Sequence, residues 1–146
     1  MKISARNQFE GLITALTAGP VNAEVTLALA GGDSLAAVVT TGSVQALGLA
    51  VGGRAIAIVK APWVIVVTGG ADAQGGRGFS ARHQLAGVVS AVKAGPVNAE
   101  VAITLPGGTV VHAVVTQQAV TELGLAAGVP ARAVIKASHV VLAVPG

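Results

Sequence analysis

Ala18-Gly19-Pro20-Val21-Asn22-Ala23-Glu24-Val25 decides how this chain is read, because it returns letter for letter as Ala94-Gly95-Pro96-Val97-Asn98-Ala99-Glu100-Val101. The offset, Gly19 to Gly95, is 76 residues, and without a gap it aligns residues 4–68 with 80–144 at about half identical positions. An exact internal repeat means one small module used twice. The boundaries that follow are 1–68 for the first module, 69–79 for a linker holding five glycines, and 80–146 for the second module. Modules of this size lie near the lower limit for a self-sufficient core, so they are expected to gain burial by packing on each other or on other subunits.

Each module reads as strands. After the Gly19-Pro20 turn signal, Val21, Ala23, Val25, Leu27 and Leu29 alternate with Asn22, Glu24, Thr26, Ala28 and Ala30, the period-two pattern of a half-buried strand. Gly31-Gly32-Asp33, and Gly107-Gly108-Thr109 in the second copy, suit a tight hairpin. Thr40 or Thr41 can cap a short helix that Gly48 stops. Gly52-Gly53 leads into a strand over 55–59, Lys60-Ala61-Pro62-Trp63 breaks it, and a last strand covers 64–68. The fold class expected is all-β: two tandem five-stranded Greek-key barrels of the oligonucleotide-binding type, each with one short helix, with an SH3-like barrel as the alternative.

Composition narrows the function. Hydrophobic residues make up 53% and aromatic residues 2%, so the core is built from Val, Ala, Leu and Ile. There is no cysteine, which removes disulfides and thiolate chemistry. No apolar run is long enough to span a bilayer, and Met1-Lys2-Ile3-Ser4 does not resemble a signal peptide; a cytoplasmic protein without membrane contact is expected. Nine bases against six acids give a net charge of +3, a mild preference for anionic partners.

The two copies also act as a filter on the polar residues. Arg6 with Arg82 and Lys60 with Lys136 are the bases that recur in register, and Glu24 with Glu100 is the recurring acid. Ser4 with Ser80, Asn22 with Asn98 and Thr40 with Thr116 recur as well. None of the three histidines has a histidine at its counterpart, which speaks against a duplicated metal site, and no acid–base set is common to both copies, so no enzyme is expected. The recurring set suits an oxyanion: a guanidinium fork, an ammonium, hydroxyls and free backbone N–H groups. Plainer roles compete with this one. Arg6 can pair with Glu24 on the surface, Thr40 can be a helix cap, Asn22 a turn residue and Trp63 packing.

Ser4-Ala5-Arg6-Asn7-Gln8, the Gly-Pro-Val-Asn stretch, Thr40-Thr41-Gly42-Ser43 and Lys60-Ala61-Pro62-Trp63 together resemble the Mop domain of molbindins, cytoplasmic molybdate-binding proteins; two copies resemble the tandem form. The resemblance implies a homotrimer that holds molybdate, or tungstate as its analogue, at subunit interfaces. It implies that Ser4, Ala5, Arg6, Lys60 and Ala61 face one side of such a site, with Thr40 and Ser43 supplied by a neighbouring chain or module. Ser80, Ala81, Arg82, Lys136, Ala137 and Thr116 are the counterparts, with Ala119 in place of Ser43. Gly19, Val21 and Asn22, with Gly95, Val97 and Asn98, are candidates for a second class of site near a threefold axis. The rival function is a nucleic-acid-binding barrel. Scarce aromatic platforms argue against it, so no nucleic-acid partner is expected.

Overall fold

The computed structural model describes residues 2–69 and 84–146, so most of the glycine-rich linker and the start of the second module, including Ser80, Ala81 and Arg82, lie outside the described residues. The first half contains β1 (Asn7–Ala18), β2 (Asn22–Leu29), β3 (Ser34–Thr40), α1 (Thr41–Leu47), β4 (Arg54–Val59), a 3-10 turn (Ala61–Trp63) and β5 (Ile65–Val67). The second repeats the order with β6 (Gln84–Lys93), β7 (Asn98–Thr104), β8 (Val110–Thr116), α2 (Gln117–Leu123), β9 (Pro130–Val134), a 3-10 turn (Ala137–His139) and β10 (Val141–Ala143). The all-β class, the five strands per half and the single short helix before the fourth are as the sequence leads one to expect.

Local chemistry accounts for these elements. Thr40 caps α1, its Oγ1 accepting the Ser43 N–H at 3.0 Å, and Gly48 ends the helix in the left-handed region at φ 63°. Thr116 and Gly124 do the same for α2. In β2, Ala23, Val25, Leu27 and Leu29 are buried, as are Ala99, Val101, Ile103 and Leu105 in the copy. Val21 departs from the alternation read for it: it lies before the strand and is 70% exposed, with Val97 at 71%. Its carbonyl accepts the Thr41 N–H at 2.8 Å, which ties the turn to the helix start and leaves the side chain outward.

The long first strand serves two neighbours. β1 pairs antiparallel with β4 through Asn7–Leu12 and with β2 through Gly11–Ala18, and a register shift between Ile13 and Ala15 marks the bend. β6 carries the same irregularity between Val89 and Ala91. Gly11 sits at the crossing, where an added Cβ would stand 2.7 Å from the Ala28 carbonyl oxygen.

The halves are not separate in space. The sheet orders are β10-β4-β1-β2-β3 and β5-β9-β6-β7-β8, so each half sends its last strand to the other half's sheet. Val141 stands opposite Ile58, and Ile65 opposite Val134, the same pairing reciprocated. β10 also approaches β3, and β5 approaches β8, closing each sheet into a barrel. The two hairpin tips meet back to back: a Cβ on Gly107 would stand 2.5 Å from Gly31 Cα. The sequence boundaries at 68 and 80 therefore mark the repeat, while each barrel is completed across them.

The exchange has a thermodynamic consequence. Leu142 is 7% exposed and belongs to the core of both halves. Leu142→Ala is expected to cost about 2–5 kcal/mol and to lower one unfolding transition. Two separated transitions in calorimetry or urea denaturation would contradict the shared architecture.

Candidate functional site

The site is built where the start of β1 meets the second half. Asn7 is 1% exposed, and its side-chain amide is clamped on the main chain of His112: Nδ2 donates to the His112 carbonyl and Oδ1 accepts the His112 N–H, each at 2.7 Å. β8 is an outer strand of its sheet, so the Asn7 amide takes the place of a further strand at that edge. Arg6, one residue earlier, reaches Glu100 on β7, its Nη2 donating to Oε1. The same carboxylate oxygen lies 3.4 Å from His112 Nδ1, within ion-pair reach though not aligned as a hydrogen bond.

Lys60 is brought to the same end of the barrel. It follows Val59, which pairs with Asn7 across β1 and β4. Its side chain is exposed, with Nζ 5.6 Å from the Trp63 ring centroid. Ala61 is buried where the turn after Lys60 packs on β8, whose last residue is Thr116. The other half mirrors this: the turn after Lys136 packs on β3, whose last residue is Thr40. Trp63 and His139 from the two turns face each other with ring centroids 5.1 Å apart, the packing role expected for Trp63.

Thr40 and Ser43 form a second focus. Their hydroxyl oxygens are 2.7 Å apart, and they open onto a cleft of about 210 Å³ whose other wall is Val140, Val141 and Leu142. Ala119 replaces Ser43 beside Thr116, so that hydroxyl is missing in the second half. The first half's bases and the first half's hydroxyls thus lie against different elements. Arg6 and Lys60 stand by β7 and β8, while Thr40 and Ser43 stand by the strand that follows Lys136. Ser4 is exposed just before this region, and Ala5 is half-buried.

The candidates for the axial class are held in turns. The Gly19 N–H donates to the Asn22 carbonyl at 2.8 Å, and Thr41 Oγ1 donates to the Gly19 carbonyl at 2.7 Å. A Cβ on Gly95 would fall 2.5 Å from the Asn98 carbonyl oxygen, so glycine is required there for close approach. Asn22 pairs with Thr40 and Asn98 with Thr116 across their sheets, which brings both classes of candidate to one rim.

Two features were not singled out from the sequence. The partner of Arg6 is Glu100, not Glu24, because the start of β1 lies against the other half's sheet. Recurrence of the acid was the available signal; which copy it would meet depends on the exchange. Asn7 has His83 as its counterpart, so the comparison of the two copies carries no signal for it. Among the described residues no group of three or more His, Asp or Glu side chains converges as a metal site, and no helix is long and apolar enough to cross a membrane.

The TOBE-domain family model matches twice, over residues 3–66 and 80–142. The chain belongs to the TOBE-domain family. Its fold is that of the cytoplasmic molybdate-binding protein ModG in a crystal form with molybdate bound: TM-score 0.92 and 52% identity, covering 99% of this chain and 100% of that one. Among curated relatives, the molybdenum-pterin-binding protein MopA of Rhodobacter capsulatus is 46% identical over 99% of this chain and 53% of its own length. The molybdenum transport protein ModE of Herbaspirillum seropedicae is 44% identical over 99% of this chain and 52% of its own length. The chain thus spans about half the length of these curated relatives.

The clamp gives a direct expectation. Replacing Asn7 with Leu strands a buried N–H and a buried C=O at His112, a loss of about 1–3 kcal/mol. Asn7→Asp keeps the acceptor for the His112 N–H but sets a carboxylate against its carbonyl, and is expected to destabilise as well. Urea denaturation of both variants checks this; wild-type stability in both would mean that the clamp is dispensable.

Proposed function

We propose that this chain binds molybdate, with tungstate as its analogue, and serves to store or buffer the anion in the cytoplasm. The observation that carries the reading is the convergence of the repeated bases at one end of a barrel, Arg6 beside the clamped Asn7 and Lys60 at the head of the turn on β8. Likeness to the molybdate-bound ModG over 99% of the chain supports it. The proposed interfacial sites use Ser4, Ala5, Arg6, Lys60 and Ala61 with Thr116, and Ser80, Ala81, Arg82, Lys136 and Ala137 with Thr40 and Ser43. Gly19, Val21 and Asn22, with Gly95, Val97 and Asn98, supply a second class. Charge-assisted hydrogen bonds from Arg and Lys hold the oxyanion without any metal-type ligand and without a catalytic step.

The working form is a homotrimer. Support comes from apolar side chains that recur in register and stay exposed on the single chain: Leu12 with Val88, Val21 with Val97, Ile65 with Val141. Sedimentation equilibrium is expected to give a mass near three times 14.1 kDa; a stable monomer at micromolar concentration would remove the interfaces.

Molybdate and tungstate carry the same double charge as sulfate, so cavity size must discriminate among them. Titration calorimetry is expected to show molybdate and tungstate competing with each other, and excess sulfate competing poorly. Arg6→Ala and Lys60→Ala should each weaken binding about tenfold to a hundredfold at one set of sites, the scale of a charge-assisted hydrogen bond. Arg82→Ala and Lys136→Ala should do so at the other set. Equal displacement by sulfate would mean a generic anion site.

A further inference from the structure

Arg6 and Glu100, each a charge that has a counterpart in the other copy, meet across the halves. Side chains exposed to 57% for Arg6 and 29% for Glu100 make this a weak stabilising pair, so fold stability alone explains it poorly. We propose that Glu100 is a built-in competitor for the anion at Arg6: with no ligand its carboxylate occupies the guanidinium, and an oxyanion binds there by taking its place. The inference rests on the reading of Arg6 as an anion ligand.

Three features of the geometry make the exchange workable. The contact runs from a single nitrogen, Nη2, to a single oxygen, Oε1, which leaves other donors of the guanidinium for an incoming anion and makes the carboxylate easier to displace than a two-pronged pair. The carboxylate has a second polar neighbour, His112 Nδ1 at 3.4 Å, towards which it can turn when it leaves Arg6. The backbone beside Arg6 does not depend on Glu100, because Asn7 is fixed by its own two 2.7 Å bonds to His112. The main chain that carries Arg6 therefore stays in place while the partner of the guanidinium changes.

Charge sets the direction. At equal distance a dianion attracts the guanidinium twice as strongly as a carboxylate does, so the swap is favourable for a doubly charged oxyanion. The displaced Glu100 remains nearby and repels that anion. Glu100 thus raises the concentration at which the Arg6 site fills, and its removal strengthens binding.

The test is calorimetric titration of sodium molybdate into the wild-type chain, Glu100→Gln, Arg6→Ala and the double variant. Glu100→Gln is expected to bind molybdate about two- to tenfold more tightly at one set of sites, the scale of an exposed ion pair plus relieved repulsion. The gain should vanish in the double variant, as a coupling between the two side chains requires. Thermal melts should place Glu100→Gln within about 4 °C of wild type. Equal or weaker binding by Glu100→Gln, with binding still weakened by Arg6→Ala, would overturn the competitor role and make Glu100 a support for Arg6. Unchanged binding in Arg6→Ala would instead overturn the anion-site reading, and the competitor with it.

Discussion

Each barrel lacks a strand until the other half supplies it. The chain leaves β4 at Val59, turns through Ala61–Trp63, and pairs Ile65–Val67 with β9 of the second half; β10 returns the pairing on β4. Everything distinctive about the molecule follows from this reciprocity. Modules near the lower size limit gain a shared core, in which Val66 and Leu142 bury against the opposite half. The hairpin tips come close enough that Gly31 and Gly107 touch main chain to main chain. The connecting turns, drawn across, cover the outer strands β3 and β8, whose unpaired groups would otherwise invite association.

The same crossing assembles the polar cluster. A turn that must reach the other sheet passes over β8, and it carries Lys60 with it. The start of β1, paired with the end of β4, lies alongside, and Asn7 fastens it to His112. Arg6 is then held over β7, where Glu100 stands. In a chain with nine bases and six acids, such placement matters more than net charge. A few donors fixed by strand geometry can define a site that a diffuse basic face cannot.

Much of the fold was legible because its signals are local. The alternation in β2, the Thr40 cap, the Gly48 stop and the Gly31-Gly32 turn each depend on neighbours a few residues away. The recurrence of Arg6, Lys60 and Glu24 needs only the 76-residue offset between the copies. What could not be read was which half each piece serves. A strand of three residues, such as Ile65–Val67, carries the same apolar pattern whether it closes its own barrel or the next one. For that reason Glu24, in the same half, is the acid the sequence offers as a possible partner for Arg6, while Glu100 of the other half is the one it meets. Asn7 shows the opposite limitation: its amide acts through the main chain of His112, so neither charge nor recurrence flags it.

Duplication inside one chain also frees the two halves to differ. Thr40 stands with Ser43, while Thr116 stands with Ala119, so one cap carries two hydroxyls and the other carries one. Glu10 and Arg54 pair at 3.1 Å beside β1, and their counterparts are Ala86 and Pro130, which cannot form such a pair. Over the described residues the backbone frame is nevertheless closely similar, with equivalent bulges, caps and exchanged strands. A homo-oligomer of single modules must change every copy of a site at once. Here the reciprocal strands hold both halves to one geometry, while the side chains at the rim of each half vary independently. Any difference in how the two halves treat an anion therefore has to arise from those rim residues, since the frame beneath them is common.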